Sequence, residues 1–385
     1  MLLSIIVFFL IFSTLILIHE WGHFSSARRH GVKVEEFGLG IPPKAKVLWK
    51  DKKGCEFTLN WIPFGGFVRM EGEDAVDEKL KKTKTSFAAK SLLARMEIVL
   101  AGVFMNFILA IVLLTGLYSF GSSPILLDIH SVKENVDKGL IILDEGIPVI
   151  AITEGGPADK AGLQVGDIVL NVNGETITEA EQISGLQEEN TEKIYDVLRP
   201  LPNQEGVPVA EQKREALSLS ILSNSEAKIQ VGFSLLPYFK EVKNLKLPVH
   251  QAFIYSLQAS YDIAKATLKA FKSLVVKIVT QAQVPQGIAG PVGIAAMTHG
   301  IVETGDIGNL IKFMALLSLS LAIMNVLPIP ALDGGRFLFL IVEGIMQKPI
   351  KAEWEARIHS GAFILLIALI FIVTWNDIYR LIFEQ

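Results

Sequence analysis

A single cysteine, Cys55, stands among 385 residues, so no disulfide can close within the chain. Charge of one sign is also missing. The 36 lysines and arginines nearly balance 40 aspartates and glutamates, leaving a net charge of −4. That excludes the basic footprint of a nucleic-acid binder. The first apolar run, "MLLSIIVFFLIFSTLILI", has neither a basic leading segment nor a small-residue cleavage pattern, so it reads as an uncleaved anchor and not as a signal peptide.

Apolar residues are abundant, making up 50% of the chain, which is high for a soluble enzyme. Four runs approach the length that crosses about 30 Å of hydrocarbon. They lie at Leu2 to about Phe24, near Ile98–Tyr118, from about Leu310 to Pro330, and near His359–Trp375. One such run could be a buried core helix, but four in one chain predict a polytopic α-helical membrane protein. The stretch between the first two runs is rich in lysine and arginine, from Arg28 and Arg29 through Lys52 and Lys53 to Lys90 and Arg95. The link between the last two carries Lys348, Lys351 and Arg357. By the positive-inside rule both face the cytoplasm, and the region from about Gly121 to Leu310 lies outside. Cys55 then falls in a reducing compartment, where a lone thiol is ordinary.

The chain divides into an N-terminal membrane region (1–127), a polar module (128–238), a connector (239–309) and a C-terminal membrane region (310–385). Residues 146–177 read as strand, Gly-Pro turn, short helix, Gly-Asp turn, strand and Asn-Gly turn. The pair Asn173-Gly174 between apolar stretches is a hairpin signal. Residues 250–282 show apolar side chains at helical spacing but are too polar to span. They suit either a membrane-surface helix or an ordinary amphipathic one.

Two polar constellations interrupt the apolar runs. "HEWGH" (19–23) ends the first. His19 and His23, four apart, share a helix face and can grip one ion. Zinc suits imidazole, and a catalytic zinc takes three protein ligands and keeps one position for water. Glu20 beside the pair can take a proton from that water. The plainer alternative is two interfacial histidines, but it leaves Glu20 uncompensated, at roughly 2.5–3.5 kcal/mol near a bilayer centre. A third ligand is expected from another span. "MNVLPIPALDGGRF" (324–337) offers Asp333 just after Pro328 and Pro330, which break the helix, with Gly334 and Gly335 allowing close backbone approach. The alternative for Asp333 is a loop cap at the end of the third span.

Together these motifs resemble the site-2 protease family of intramembrane zinc metalloproteases, and within it the bacterial branch that cleaves anti-sigma factors. "HEWGH", "NVLPIPALDGG" (325–335) and a PDZ-like insert carry the resemblance. "EFGLGIPPKA" (36–45), "IPFGGFVRMEGE" (62–73), "AGVFMNF" (101–107) and "GIAGPVGIA" (287–295) extend it over nearly the whole chain. Val103 departs from the proline frequent in the family. The resemblance implies one Zn2+ on His19, His23 and Asp333, with Glu20 as general base. It implies that Asn325 holds or polarises the substrate backbone. It further implies that a membrane-associated β-hairpin containing Phe64, Gly65, Gly66, Phe67 and Val68 receives the unwound substrate as an added strand. The middle becomes one extracytoplasmic PDZ-like α+β domain. Its peptide-binding loop would be Val231, Gly232 and Phe233, unless that run is a plain strand.

The reading is a zinc metalloendopeptidase of the bacterial inner membrane that cuts membrane-spanning substrates such as anti-sigma factors or signal-peptide remnants. A non-catalytic PDZ-containing membrane scaffold would dispense with Glu20 or Asp333, and both are present. A metal transporter would spread ligands through several spans, whereas here they cluster. His19 lies about 26 Å along the first helix from Leu2, which places the centre toward the cytoplasmic side.

Overall fold

The computed structural model describes residues 2–73, 83–125, 135, 138–143, 146–149, 151–152, 155–177, 192–200, 214–222, 229–230, 239–281, 289–348, 350 and 352–383. The first apolar run forms helix α1 (Leu2–Arg29), which contains no proline. Gly31 ends it in a left-handed conformation (φ 66°), with Gly31 N–H donating to Arg28 and Val32 N–H to Ala27. This is a Schellman closure, for which glycine is the preferred residue. Strands β1 (Val34–Lys50) and β2 (Glu56–Met70) follow, then α2 (Leu92–Phe120). The polar middle holds β3 (Ile141–Leu143), β4 (Ile147–Pro148), β5 (Ala151–Ile152), α3 (Pro157–Lys160), β6 (Ile168–Val172) and β7 (Glu175–Thr176). It continues with β8 (Glu192–Pro200), β9 (Arg214–Leu222), β10 (Ile229–Gln230) and β11 (Phe239–Val242). Five helices close the chain: α4 (Val249–Gln281), α5 (Pro291–Thr304), α6 (Ile307–Val326), α7 (Asp333–Met346) and α8 (Ala352–Phe383).

Two units separate, Met1–Phe120 with Leu247–Gln385, and Gly121–Lys246. In the first, four helices are long and apolar enough to cross a membrane: α1, α2, α6 and Glu353–Tyr379 of α8. The expected four spans are therefore present, with two differences in the C-terminal region. The third span stops at Val326, because Pro328 lacks an N–H and disfavours helix at Leu327, whose backbone is extended. The supposed short link to the fourth span contains the 14-residue helix α7.

The buried face of α2 repeats every fourth residue: Ala94, Ile98, Gly102, Asn106, Ala110, Leu114 and Tyr118. Its small members let neighbouring helices approach, as membrane packing requires. The Ser318 hydroxyl on α6 donates to the Asn106 carbonyl at 2.8 Å. Helix α4 packs on α2 through the Thr115–Ser256 hydroxyl pair (3.2 Å) and the edge-on Tyr118–Tyr255 rings. It also keeps an exposed apolar row that includes Phe253, Leu257 and Leu268. At the N-terminus of α5, the N–H groups of Gly290 and Gly293 donate to Asp377 Oδ2 on α8, at 2.9 and 2.8 Å.

Strands β1 and β2 are long enough to fold back on themselves. Residues 34–39 pair on one side with 66–70 and on the other with 56–59, and 44–50 pair outside 56–60. Four segments therefore lie side by side, with 66–70 as one edge. Phe24 of α1 meets Phe37 and Phe57 edge-on, at 5.5 and 5.8 Å, and fastens the sheet to the helix.

The second unit has a sheet in the order β4-β6-β8-β9, with β7 hairpinned on β6. Asn173 (φ 51°) and Gly174 (φ 81°) make the turn expected of that pair. Leu163, Ile168, Val169, Tyr195 and Ile221 are buried in this unit, and Arg199 grips the buried Asp167 through two bonds, at 2.8 and 2.6 Å.

Candidate metal centre

His19 and His23 are one turn apart on α1 and both are buried. Asp333, the first residue of α7, meets them from the other end of the sequence. His19 Nε2 lies 3.0 Å from Asp333 Oδ2, His23 Nε2 lies 3.4 Å from the same oxygen, and the two nitrogens are 3.1 Å apart. A tetrahedral ion with bonds of about 2.0–2.1 Å has donor–donor edges of about 3.3 Å. The three atoms therefore form a triangle of the size of one face of such a shell.

What surrounds the triangle fixes its shape. His23 Nδ1–H donates to the Ile98 carbonyl at 2.8 Å, which turns the Nε2 lone pair toward Asp333. Among the described residues, Asp333 Oδ2 is buried and accepts no hydrogen bond of good geometry. An acceptor held between two imidazole nitrogens and otherwise unsatisfied calls for a cation. Space for the rings comes from glycine. A Cβ at Gly102 would sit 2.4 Å from His23 Nε2 and 2.8 Å from His19 Cε1. A Cβ at Gly22 would sit 2.3 Å from the Ala101 carbonyl oxygen. Both glycines are therefore needed for α1 and α2 to approach this closely with two imidazoles between them. The loop before Asp333 is equally tight, since a Cβ at Gly334 would lie 2.1 Å from the Leu327 carbonyl oxygen and one at Gly335 2.4 Å from that of Ile329.

The centre opens into a cavity of about 200 Å³ whose lining includes Glu20, Phe67, Val68, Glu73 and Arg336. Arg336, three residues past Asp333, forms an ion pair with Glu73. The sheet edge runs beside Glu20, and a Cβ at Gly66 would lie 3.5 Å from Glu20 Cγ. A glutamate carboxyl, three atoms placed to hold one ion and a strand edge thus share one pocket.

A family model described as Peptidase family M50 matches residues 7–369. The chain belongs to peptidase family M50. Among relatives of this M50 peptidase, the regulator of sigma-W protease RasP of Bacillus subtilis is 30% identical, over 98% of this chain and 99% of that protein. The zinc metalloproteases RasP of Oceanobacillus iheyensis and Bacillus licheniformis are 28% and 29% identical over the same shares. The M50 peptidase is an intramembrane zinc metalloprotease of the site-2 type. Its residues fit the ion: imidazoles and a carboxylate are zinc's usual donors, and one ligand atom from each lies within 4.8 Å of the others.

Of the residues singled out from sequence, His19, Glu20, His23, Asp333, Phe67 and Val68 line this pocket, with Gly66 alongside. Gly65 (φ 79°) supplies the turn into the edge, packing near Ile16 of α1. Phe64 belongs to β2, but its side chain lies outside the described residues. Asn325 sits half-buried in the last turn of α6 and is not among the pocket-lining residues. Val231, Gly232 and Phe233 lie outside the described residues. Sequence reasoning missed Gly22, Gly102, Glu73 and Arg336. The fourth-residue rhythm of small residues on α2 was the available signal for Gly102.

Proposed function

We propose that this M50 peptidase hydrolyses a peptide bond within a membrane-spanning segment, with His19, His23 and Asp333 holding the zinc and Glu20 moving the proton. The observation that carries the reading is the open edge at residues 66–70, which runs past Glu20 and the ligand triangle. A helix hides its peptide groups in its own hydrogen-bond ladder. Pairing one stretch with a strand edge satisfies those groups in extended form and exposes a single bond. Gly66, Phe67 and Val68 hold that stretch. Glu20 accepts a proton from the attacking water and returns it to the leaving nitrogen. When bound, zinc supplies Lewis acidity toward water and the scissile carbonyl. Asn325 holds the substrate backbone on the α6 side.

The substrates are membrane-anchored proteins, anti-sigma factors or signal-peptide remnants, in the bacterial inner membrane. The second unit is a PDZ-like extracytoplasmic module that limits access, and the lysine-rich β1–β2 region faces the cytoplasm. The scaffold reading gives no reason for a carboxylate and three ligand atoms to share one cavity.

The test uses the purified full chain in liposomes with a membrane-spanning model peptide. Mass spectrometry should find one cut in the cytoplasmic half of the span. Glu20→Gln should lose at least 10²-fold in turnover while keeping its zinc. A cut in the extracytoplasmic tail, or wild-type turnover by Glu20→Gln, would overturn the reading.

A further inference from the structure

The loop that presents Asp333 is anchored by a side chain that the mechanism does not use. Residues 327–332 carry two prolines, Pro328 and Pro330, which have no N–H to give. The N–H of Ile329 donates to Leu327 and that of Leu332 to Ile329, both within the loop. The Ala331 N–H leaves the loop and donates to His359 Nδ1 on α8 at 2.8 Å. Ala331 stands at φ 77°, a left-handed conformation that a residue with a Cβ resists. Two residues later the chain must deliver Asp333 to the imidazoles. Helix α7 gives no help in holding that position, because its N-cap, Leu332, makes no side-chain capping bond.

We infer that His359 is a positioning residue for the metal centre: its Nδ1 holds Ala331 in the left-handed turn that sets Asp333 at ligand distance from His19 and His23. This rests on the reading that Asp333 is a zinc ligand. Two further observations support it. The His359 ring packs against Phe339 of α7 at 5.3 Å, so the same helix that begins with Asp333 fixes the ring's orientation. His359 and Asp333 also line one cavity of about 480 Å³, with Ala331 and Leu332 between them in the same lining. A strained turn followed by a metal ligand, with the N–H of its strained residue tied to another helix, is a device for placing that ligand and not only for closing a loop.

The inference depends on which ring nitrogen accepts the bond, and substitution can separate the two. Asparagine places an acceptor near Nδ1, glutamine near Nε2, and phenylalanine keeps the ring shape with neither. Glycine at 331 adopts the left-handed turn without help. Zinc affinity of the full-length protein in detergent is measured by competition with a chromogenic chelator. His359→Phe and His359→Gln should bind zinc about tenfold more weakly, and His359→Asn should stay near wild type. Ala331→Gly should restore most of the affinity lost in His359→Phe. Equal affinities for the Asn and Gln variants, or no restoration by Ala331→Gly, would overturn the inference. Asp333→Ala separates the two levels. If it loses zinc while His359→Phe binds like wild type, the positioning role alone falls. If Asp333→Ala itself binds like wild type, the ligand assignment falls and the inference with it.

Discussion

Gly102→Ala sets two physical effects against each other. By helix propensity the change is favourable, since alanine in a helix interior is better than glycine by about 1 kcal/mol. By contact it is not tolerated. The new methyl would sit 2.4 Å from His23 Nε2 and 2.8 Å from the Cε1 atoms of both imidazoles. Ordinary contact is about 3.5 Å, so the His23 ring must withdraw by roughly 1 Å. It cannot do so freely, because Nδ1 is tied to the Ile98 carbonyl at 2.8 Å and the helices are so close that even a Cβ at Gly22 would lie 2.3 Å from the Ala101 carbonyl oxygen. A triangle with edges of 3.0, 3.1 and 3.4 Å does not survive that displacement. Shifts of this size cost on the order of 10²-fold in rate, and zinc affinity should fall by a similar factor. The expected protein is helical, at least as heat-stable as wild type once both are stripped of metal, and poor in zinc. Gly116→Ala is the control on the same helix, where a Cβ meets nothing within 4 Å. It should keep full zinc affinity. Elemental analysis, chelator competition and melting of the metal-free proteins read all three quantities. Wild-type zinc affinity in Gly102→Ala would refute the packing argument.

Two further outcomes follow from other contacts. Asp377→Ala leaves the Gly290 and Gly293 N–H groups without their acceptor. At about 1–3 kcal/mol for a buried unsatisfied donor, melting should drop by several degrees, and Asp377→Asn, which keeps one acceptor oxygen, should drop less. Glu71, just past the sheet edge, has its carboxyl held below the ordinary carboxylate range by the Thr85 hydroxyl and then by Lys33. Its contribution is therefore present above the unfolded value of about 4.3 and lost as pH falls through the lower folded value. Glu71→Gln should be less stable than wild type at pH 7 and converge with it in acid; a constant gap down to pH 2 would contradict this.

The legible parts of this protein were those whose physics is local in sequence. Two histidines at i and i+4 share a helix face whatever surrounds them, so "HEWGH" announced its geometry directly. Asn173-Gly174 announced a turn because few other pairs take positive φ twice. The break at Pro328 was visible as well, although the helix stops two residues earlier because proline also constrains the residue before it. What stayed hidden depended on distant partners. Gly102 lies in an unbroken apolar run, where a glycine facing lipid and one facing a histidine look alike. The fold-back of β1 and β2 rests on pairings across 6 to 36 residues. "RFLFLIVEGIM" looked like a link because it is short beside the spans around it, yet α7 carries Arg336 to Glu73 and Arg95 closes on its Glu343 at 2.5 Å. His359 is one of several polar residues in a span flank, beside Arg357 and Ser360, and nothing nearby in sequence points to Ala331.

Charge balance ties the pocket to its ion. Each ionised side chain taken into an apolar bundle needs compensation. Four side chains of ionisable type line this cavity: Glu20, Glu73, Asp333 and Arg336. Glu73 and Arg336 neutralise each other in an ion pair. Asp333 and Glu20 remain, and the two imidazoles are neutral when they act as ligands. Asp333 is the carboxylate that faces both imidazoles, and a cation held there would also offset the burial of the Glu20 carboxyl beside it. The carboxylates are not equivalent, however. Asp333 is spent on the triangle, within 3.4 Å of both histidines. Among the described residues, no hydrogen bond or ion pair holds the Glu20 carboxylate, and the open strand edge runs beside it. In the proposed reaction this free carboxyl is the group that moves the proton, beside the edge on which the added strand is proposed to lie.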